Sequence, residues 1–141
     1  MKATELMIGD WVGRVFDDKR IDYRQVDWIR TGEIGMRYQK VWAIGCIEPI
    51  PLTAEILEKN GFYDRNTQWY YKRFGSYACF DIAISLVYKE IEVSKVCGAG
   101  TDCEEEEYGS SIVFGSDICV HTLQHALRLC GLDELADNFK V

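Results

Sequence analysis

The stretch Asp117 to Leu132, DICVHTLQHALRLCGL, constrains the fold more than any other part of the chain. It is the clearest helical pattern in a sequence that otherwise reads as strand. Ser116 or Asp117 supplies an N-cap oxygen, and Gly131 supplies a residue able to end the helix in a left-handed conformation. At 3.6 residues per turn, Cys119, Val120, Leu123, Ala126, Leu127 and Cys130 share one side, which needs a sheet to cover. His121, Gln124, His125 and Arg128 fall on the other side and read as a solvated face.

The strand-like remainder is rich in aromatics, with four Trp, eight Tyr and six Phe, which suits small β-rich cores. The N-terminal MKATELMIGD lacks the apolar run of a signal peptide, and no segment reaches the length of a membrane span. These features predict a cytoplasmic protein with no membrane partner. The cysteines at 46, 79, 97, 103, 119 and 130 are then reduced thiols acting as small hydrophobes. The net charge of −7 is uneven. Residues 1–48 balance at eight basic and eight acidic residues, whereas 49–141 carry eight basic and fifteen acidic. Such a balance disfavours nucleic acid as the default partner.

In chain order, Gly9-Asp10 offers turn chemistry between Leu6-Met7-Ile8 and Trp11-Val12. Short strands are expected near 11–16, 21–30, 34–38 and 41–47, with a bulge near Arg24-Gln25. Both prolines lie in Glu48-Pro49-Ile50-Pro51-Leu52, which marks a boundary. Thr53 caps a short helix over 54–59, and Asn60-Gly61 stops it. Strands follow over 68–74, 77–84, 86–96 and 111–114, with a tight turn at Gly75-Ser76 and a polar loop over 97–110. The predicted class is α+β. Residues 1–48 form a small antiparallel barrel, and 49–141 form an antiparallel sheet packed against the C-terminal helix.

Ile8-Gly9-Asp10-Trp11-Val12 resembles the turn that opens the first strand of SH3-like barrels. That resemblance implies a fold and no particular activity. The phrases Ile47-Glu48-Pro49-Ile50-Pro51-Leu52-Thr53, Glu55 to Phe62 and Val120 to Leu127 resemble a group of short uncharacterised bacterial proteins often linked to prophage or mobile elements. This second resemblance implies no activity, cofactor or site.

Several constellations carry residue types suited to chemistry. His121 and His125 stand four apart on a helix, but Thr122 occupies the place where a zinc protease needs Glu. Cys97 and Cys103 are spaced too widely for an ordinary zinc pair, and Glu104 to Glu107 read as a solvated run rather than a calcium loop. Gly98-Ala99-Gly100-Thr101 lacks the residues of a phosphate loop. No catalytic set, metal site or cofactor is therefore assigned. The aromatic run Trp69-Tyr70-Tyr71 is the strongest binding candidate. Trp69 and Tyr71 are expected to enter the core, and Tyr70, Lys72 and Phe74 to meet the barrel, a protein partner or a second copy of the chain. The chain reads as a non-enzymatic interaction or accessory module that binds protein rather than nucleic acid. One alternative is nucleic-acid binding through Arg14, Arg20, Arg24, Arg30 and Arg37. The other is a small hydrolase using His121 or His125.

Overall fold

The computed structural model describes residues 5–38, 40–64, 68–74, 78–97, 107–115 and 118–141. The chain divides into two compact units, one of residues 1–51 with 119–139 and 141, the other of residues 52–118 with 140. Both contain antiparallel sheet and helix, a mixed α+β architecture.

In the first unit, β1 (Trp11–Val15), β2 (Ile21–Arg30), β3 (Glu33–Met36) and β4 (Lys40–Ala43) form a sheet in sequence order. Among the described residues the sheet does not close into a barrel, since β1 and β4 are not paired with each other. One face carries Val12, Val26, Ile34, Met36 and Trp42, which are buried with Leu6 and Ile47 as a single core. The register of β2 on β3 shifts between Val26 and Trp28, so the bulge sits two residues beyond its expected place. A 3-10 turn, Ile44–Cys46, leads out of the sheet, and Glu48 returns to pair with Gly13.

The chain re-enters this unit at Cys119, which bridges to Pro51, and the Val120 amide donates to Ile50 O at 2.9 Å. Helix α2 follows, numbered here after α1 (Ala54–Lys59) of the second unit, and spans Val120–Leu129. Gly131, at φ +73°, turns the chain into α3 (Asp133–Asp137). The apolar stripe is as the helical period requires: Val120, Leu123, Ala126 and Leu127 are fully buried. However, the helix was expected to cover the later sheet, and it belongs instead to the unit built on the first.

The second unit begins with α1. Thr53 Oγ1 accepts from the Ile56 amide at 3.3 Å, and Lys59 pairs with Glu55 at 3.1 Å, as their positions in the helix predict. The sheet runs in the order β5 (Tyr63–Asp64), β6 (Trp69–Phe74), β7 (Ala78–Ser85), β8 (Glu90–Cys97), β9 (Glu107–Gly115). β5 was not anticipated. β8 and β9 reach into both ends of the stretch expected to be loop. The turn at Gly75-Ser76 and the centre of the acidic loop, 98–106, lie outside the described residues. The N-cap of α2 falls at Cys119, with no side-chain cap hydrogen bond, and not at the expected 116–117.

Candidate functional site

The densest polar cluster lies in the first unit, around Asp10. Gly9 and Asp10 form the turn before β1, with the Asp10 amide donating to Met7 O and the Met7 amide to Asp10 Oδ2 at 2.8 Å. Gly9 sits at φ +89°, and a Cβ there would lie 2.7 Å from Asp137 Oδ1 and 2.8 Å from Arg128 Nη2. The backbone angle favours glycine, and a side chain there would have to displace the Asp137 carboxylate and the Arg128 guanidinium. Asp10 is fully buried. Its carboxylate also accepts from His125 Nε2 at 2.8 Å and Arg128 Nη1 at 2.6 Å. Arg128 reaches on to Asp137 Oδ1 at 3.0 Å.

Gln124, one turn before Arg128, is fully buried as well. Its Oε1 accepts from the Trp11 amide at 2.8 Å, and its Nε2 donates to Gly9 O at 3.0 Å and Ala136 O at 2.7 Å. Gln25 Nε2 donates to Asp137 O at 2.6 Å. The expectation that His121, Gln124, His125 and Arg128 form a solvated face is thus corrected. The 7–10 turn and α3 cover that face, and each side chain has a partner there or beside it. A buried charge is tolerated because it is paired and hydrogen-bonded.

His121 lies edge-on to His125, with ring centroids 5.8 Å apart. Its Nδ1 is 3.1 Å from Cys119 Sγ, which is 3.0 Å from Thr122 Oγ1. A thiol beside an imidazole is the arrangement that a cysteine hydrolase would require. The electrostatics run the other way. Burial pushes the Cys119 thiol up, against the hydrogen bonds from Thr122, and burial holds His121 below the ordinary imidazole range. Both shifts favour the neutral pair over thiolate and imidazolium. Cys119 is also only 6% exposed, so the cluster fits a packed polar junction better than a nucleophilic site.

The arginines of the nucleic-acid reading are largely engaged within the first unit. Arg14 and Arg20 both lie over the Phe16 ring, at 4.7 and 4.8 Å, and Arg30 lies over Trp28 at 4.8 Å. Arg24 Nε is 3.0 Å from Asp22, which also binds Lys40. Arg37, by contrast, is exposed.

In the second unit the register decides the faces of β6. Tyr70 opposes Ile84, which opposes Ile91, and Lys72 opposes Ile82, which opposes Val93. Directly opposed residues of an antiparallel pair share a face. Ile82, Ile84 and Ile91 are fully buried, so Tyr70, Lys72 and Phe74 stand on the core face. Phe74 meets Phe62 edge-on at 6.4 Å. Lys72 Nζ lies over both rings and donates to Asn60 O, at the end of α1. Burial lowers the Lys72 pKa, and burial together with Asp64 and Glu58 raises that of Tyr70. The sequence assignment of the two faces is therefore reversed. Trp69 and Tyr71 stand on the outer face, where Tyr71 is paired with Tyr63 and Trp69 packs against Tyr88 at 6.3 Å. Tyr63 is 47% exposed and Tyr88 62%. The signal for this surface was the run of aromatics itself, but its phase was not readable.

Among the described residues, no three His, Cys, Asp or Glu side chains are grouped to hold a metal ion. Cys46, Cys119 and Cys130 are free thiols. No described helix is long and apolar enough to cross a membrane. Comparison with known proteins finds no family model, no curated sequence and no solved structure that matches this chain.

Proposed function

We propose that this protein is a non-enzymatic interaction or accessory module that binds another protein through the outer face of its second sheet. The observation that carries this reading is the gathering of Trp69, Tyr71 and Tyr63 on one sheet face, extended by Tyr88, with two of those rings about half exposed or more. Large aromatic side chains concentrate at the centres of protein interfaces, where they bury area at little entropic cost. A patch of them on a sheet face is the kind of surface a partner covers. The reading places the protein in the cytoplasm, with its first sheet an SH3-like scaffold opened by the Ile8 to Val12 turn. An accessory role in a prophage or mobile element is consistent with it.

The test is affinity capture from the native cell, comparing wild type with a Tyr63→Ser/Tyr88→Ser double variant. The proposal expects a partner that wild type retains and the double variant loses, at unchanged melting temperature. Equal capture by both proteins would refute it.

A further inference from the structure

The two hairpin turns of the first sheet gather at one end of it. The strands run in the order β1-β2-β3-β4, each antiparallel to the last, so the turns after β1 and after β3 leave from the same end. Lys40, at the start of β4, meets Asp22 on β2 at 2.9 Å, and the Arg14 guanidinium on β1 lies 6.0 Å from the Trp42 ring. This end is basic in an acidic chain. Residues 14–24 and 37–40 carry six Lys/Arg against three Asp, whereas the remainder carries ten against twenty Asp/Glu. Arg24 and Lys40 share Asp22, and Arg20 has only a long, exposed contact with Asp18 at 3.7 Å. Among the described residues, Arg14 and Arg37 have no acidic partner: Arg14 meets aromatic rings, and Arg37 is exposed. Arg14 and Arg20 lie over the same Phe16 ring, which holds a guanidinium by its face and leaves its N–H edge open to an oxyanion. Tyr38, in the turn after β3, is 85% exposed and stands at φ +68°. A left-handed backbone strains a bulky residue, and this ring recovers little by packing.

We infer that this end of the first sheet binds single-stranded nucleic acid, with Arg14, Arg20 and Arg37 meeting phosphates and the Tyr38 ring stacking on a base. It is a second surface, independent of the docking face proposed above, and goes beyond that reading: one module holds a protein and a strand. The pairing of an exposed ring with unpaired guanidiniums selects a strand over other anions. Every unpaired base has a face to stack, and every nucleotide brings a phosphate. An acidic peptide would use the guanidiniums and leave Tyr38 without a task. A duplex keeps its bases inside the stack, so the ring would go unused there as well. The net charge of −7 does not forbid the contact. The Debye length is about 8 Å at physiological ionic strength, so the acidic remainder is largely screened beyond that distance and the local balance governs.

The probe is a fluorescein-labelled oligodeoxythymidylate of about twelve nucleotides, followed by anisotropy as the full-length protein is added at low salt. The expected result is saturable binding that weakens with salt. The slope of log affinity against log salt should be about −2, from about −0.7 for each of three phosphates. Arg14→Gln/Arg37→Gln should weaken binding at least about tenfold and flatten that slope to about −0.7. Tyr38→Gly should weaken binding about fivefold or more with the slope unchanged, which a purely ionic surface would not show. Glycine suits the backbone at φ +68°, so Tyr38→Gly should fold, and an unchanged melting temperature reports it. The Tyr63→Ser/Tyr88→Ser variant should bind the strand as wild type does. No saturable binding at low salt, or an unchanged affinity in Tyr38→Gly, would overturn the inference. So would loss of the strand in Tyr63→Ser/Tyr88→Ser, which would move it to the other unit. A duplex of the same length bound as tightly as the strand would overturn it too. Displacement of the strand by a polyglutamate peptide of equal charge would overturn it in favour of an acidic protein segment.

Discussion

The two units of this chain spend their unusual side chains differently. In the first, the polar residues are turned inward. Asp10, Gln25, Gln124 and His121 are all buried, and together with His125 and Arg128 they tie α2 and α3 to the turn before β1. In the second, the aromatic and acidic residues of one sheet face are turned outward, over a floor of alanine and serine. A cluster of His, Cys, Asp and Arg draws the eye as chemistry, yet here its hydrogen bonds are made to its own unit. Buried polar networks lock a fold in one arrangement, and half-exposed aromatic faces are what a second molecule can use.

Substitutions can break this contrast, beginning with the largest effect. Asp10→Ala removes the carboxylate that the Met7 amide, His125 and Arg128 Nη1 all meet, leaving Arg128 its Nη2 contacts to Asp137 and Ile8 O. It should cost about 3–5 kcal/mol in denaturant unfolding, the range for breaking a buried charge pair. A loss under about 1 kcal/mol would show that the cluster is not structural. Leu127→Ala, on the fully buried stripe of α2, should cost about 2–5 kcal/mol by the same measurement.

The faces of β6 give a finer test. Phe74→Ala, on the core face against Phe62, should cost about 1–3 kcal/mol, less than a fully buried phenylalanine because the ring is only partly covered. Tyr88→Ser, on the outer face, should change stability by no more than about 0.5 kcal/mol. The reverse order would restore the face assignment expected from sequence alone.

The smallest effect is a pH dependence. Burial holds His121 below its ordinary value of 6.5, so the folded protein binds its proton less well than the unfolded chain does. Stability from this group is therefore complete above pH 6.5 and falls as pH drops below it, towards the depressed folded value. Its imidazole faces Asp10, His125 and Glu5, and the two carboxylates moderate the loss. In His121→Gln the slope of stability against pH should flatten between pH 6.5 and 5 on about that range. An unchanged slope would mean that another group carries it.

Much of the local structure could be read from the residues. Thr53, Glu55, Lys59 and Asn60 define α1 from its cap to its stop, and the Gly9-Asp10 turn opens β1 where its chemistry suggests. The apolar stripe of α2 was equally legible, because its period depends only on the helix. What covers the other stripe was not. Gln124 finds Trp11 and Gly9 across more than a hundred residues of chain, and no local pattern encodes that. The phase of β6 failed for another reason. Its six residues, WYYKRF, carry an aromatic on both faces, so period-two alternation offers no contrast. Lys72 made the core face look like a surface, whereas its stem lies over Phe62 and Phe74 and its amine caps the end of α1. Only the pairing with Ile82 and Ile84 fixes the phase, and that register is a property of the whole sheet.

Hydroxyl-radical footprinting of the free and partner-bound protein, read residue by residue by mass spectrometry, tests the central claim most directly. The account predicts that Tyr63, Trp69 and Tyr88 are labelled in the free protein and protected in the complex, while Phe74 and Tyr70 react slowly in both. Fast labelling of Tyr70 and Phe74, with protection there and none at Tyr63 or Tyr88 on binding, would contradict it.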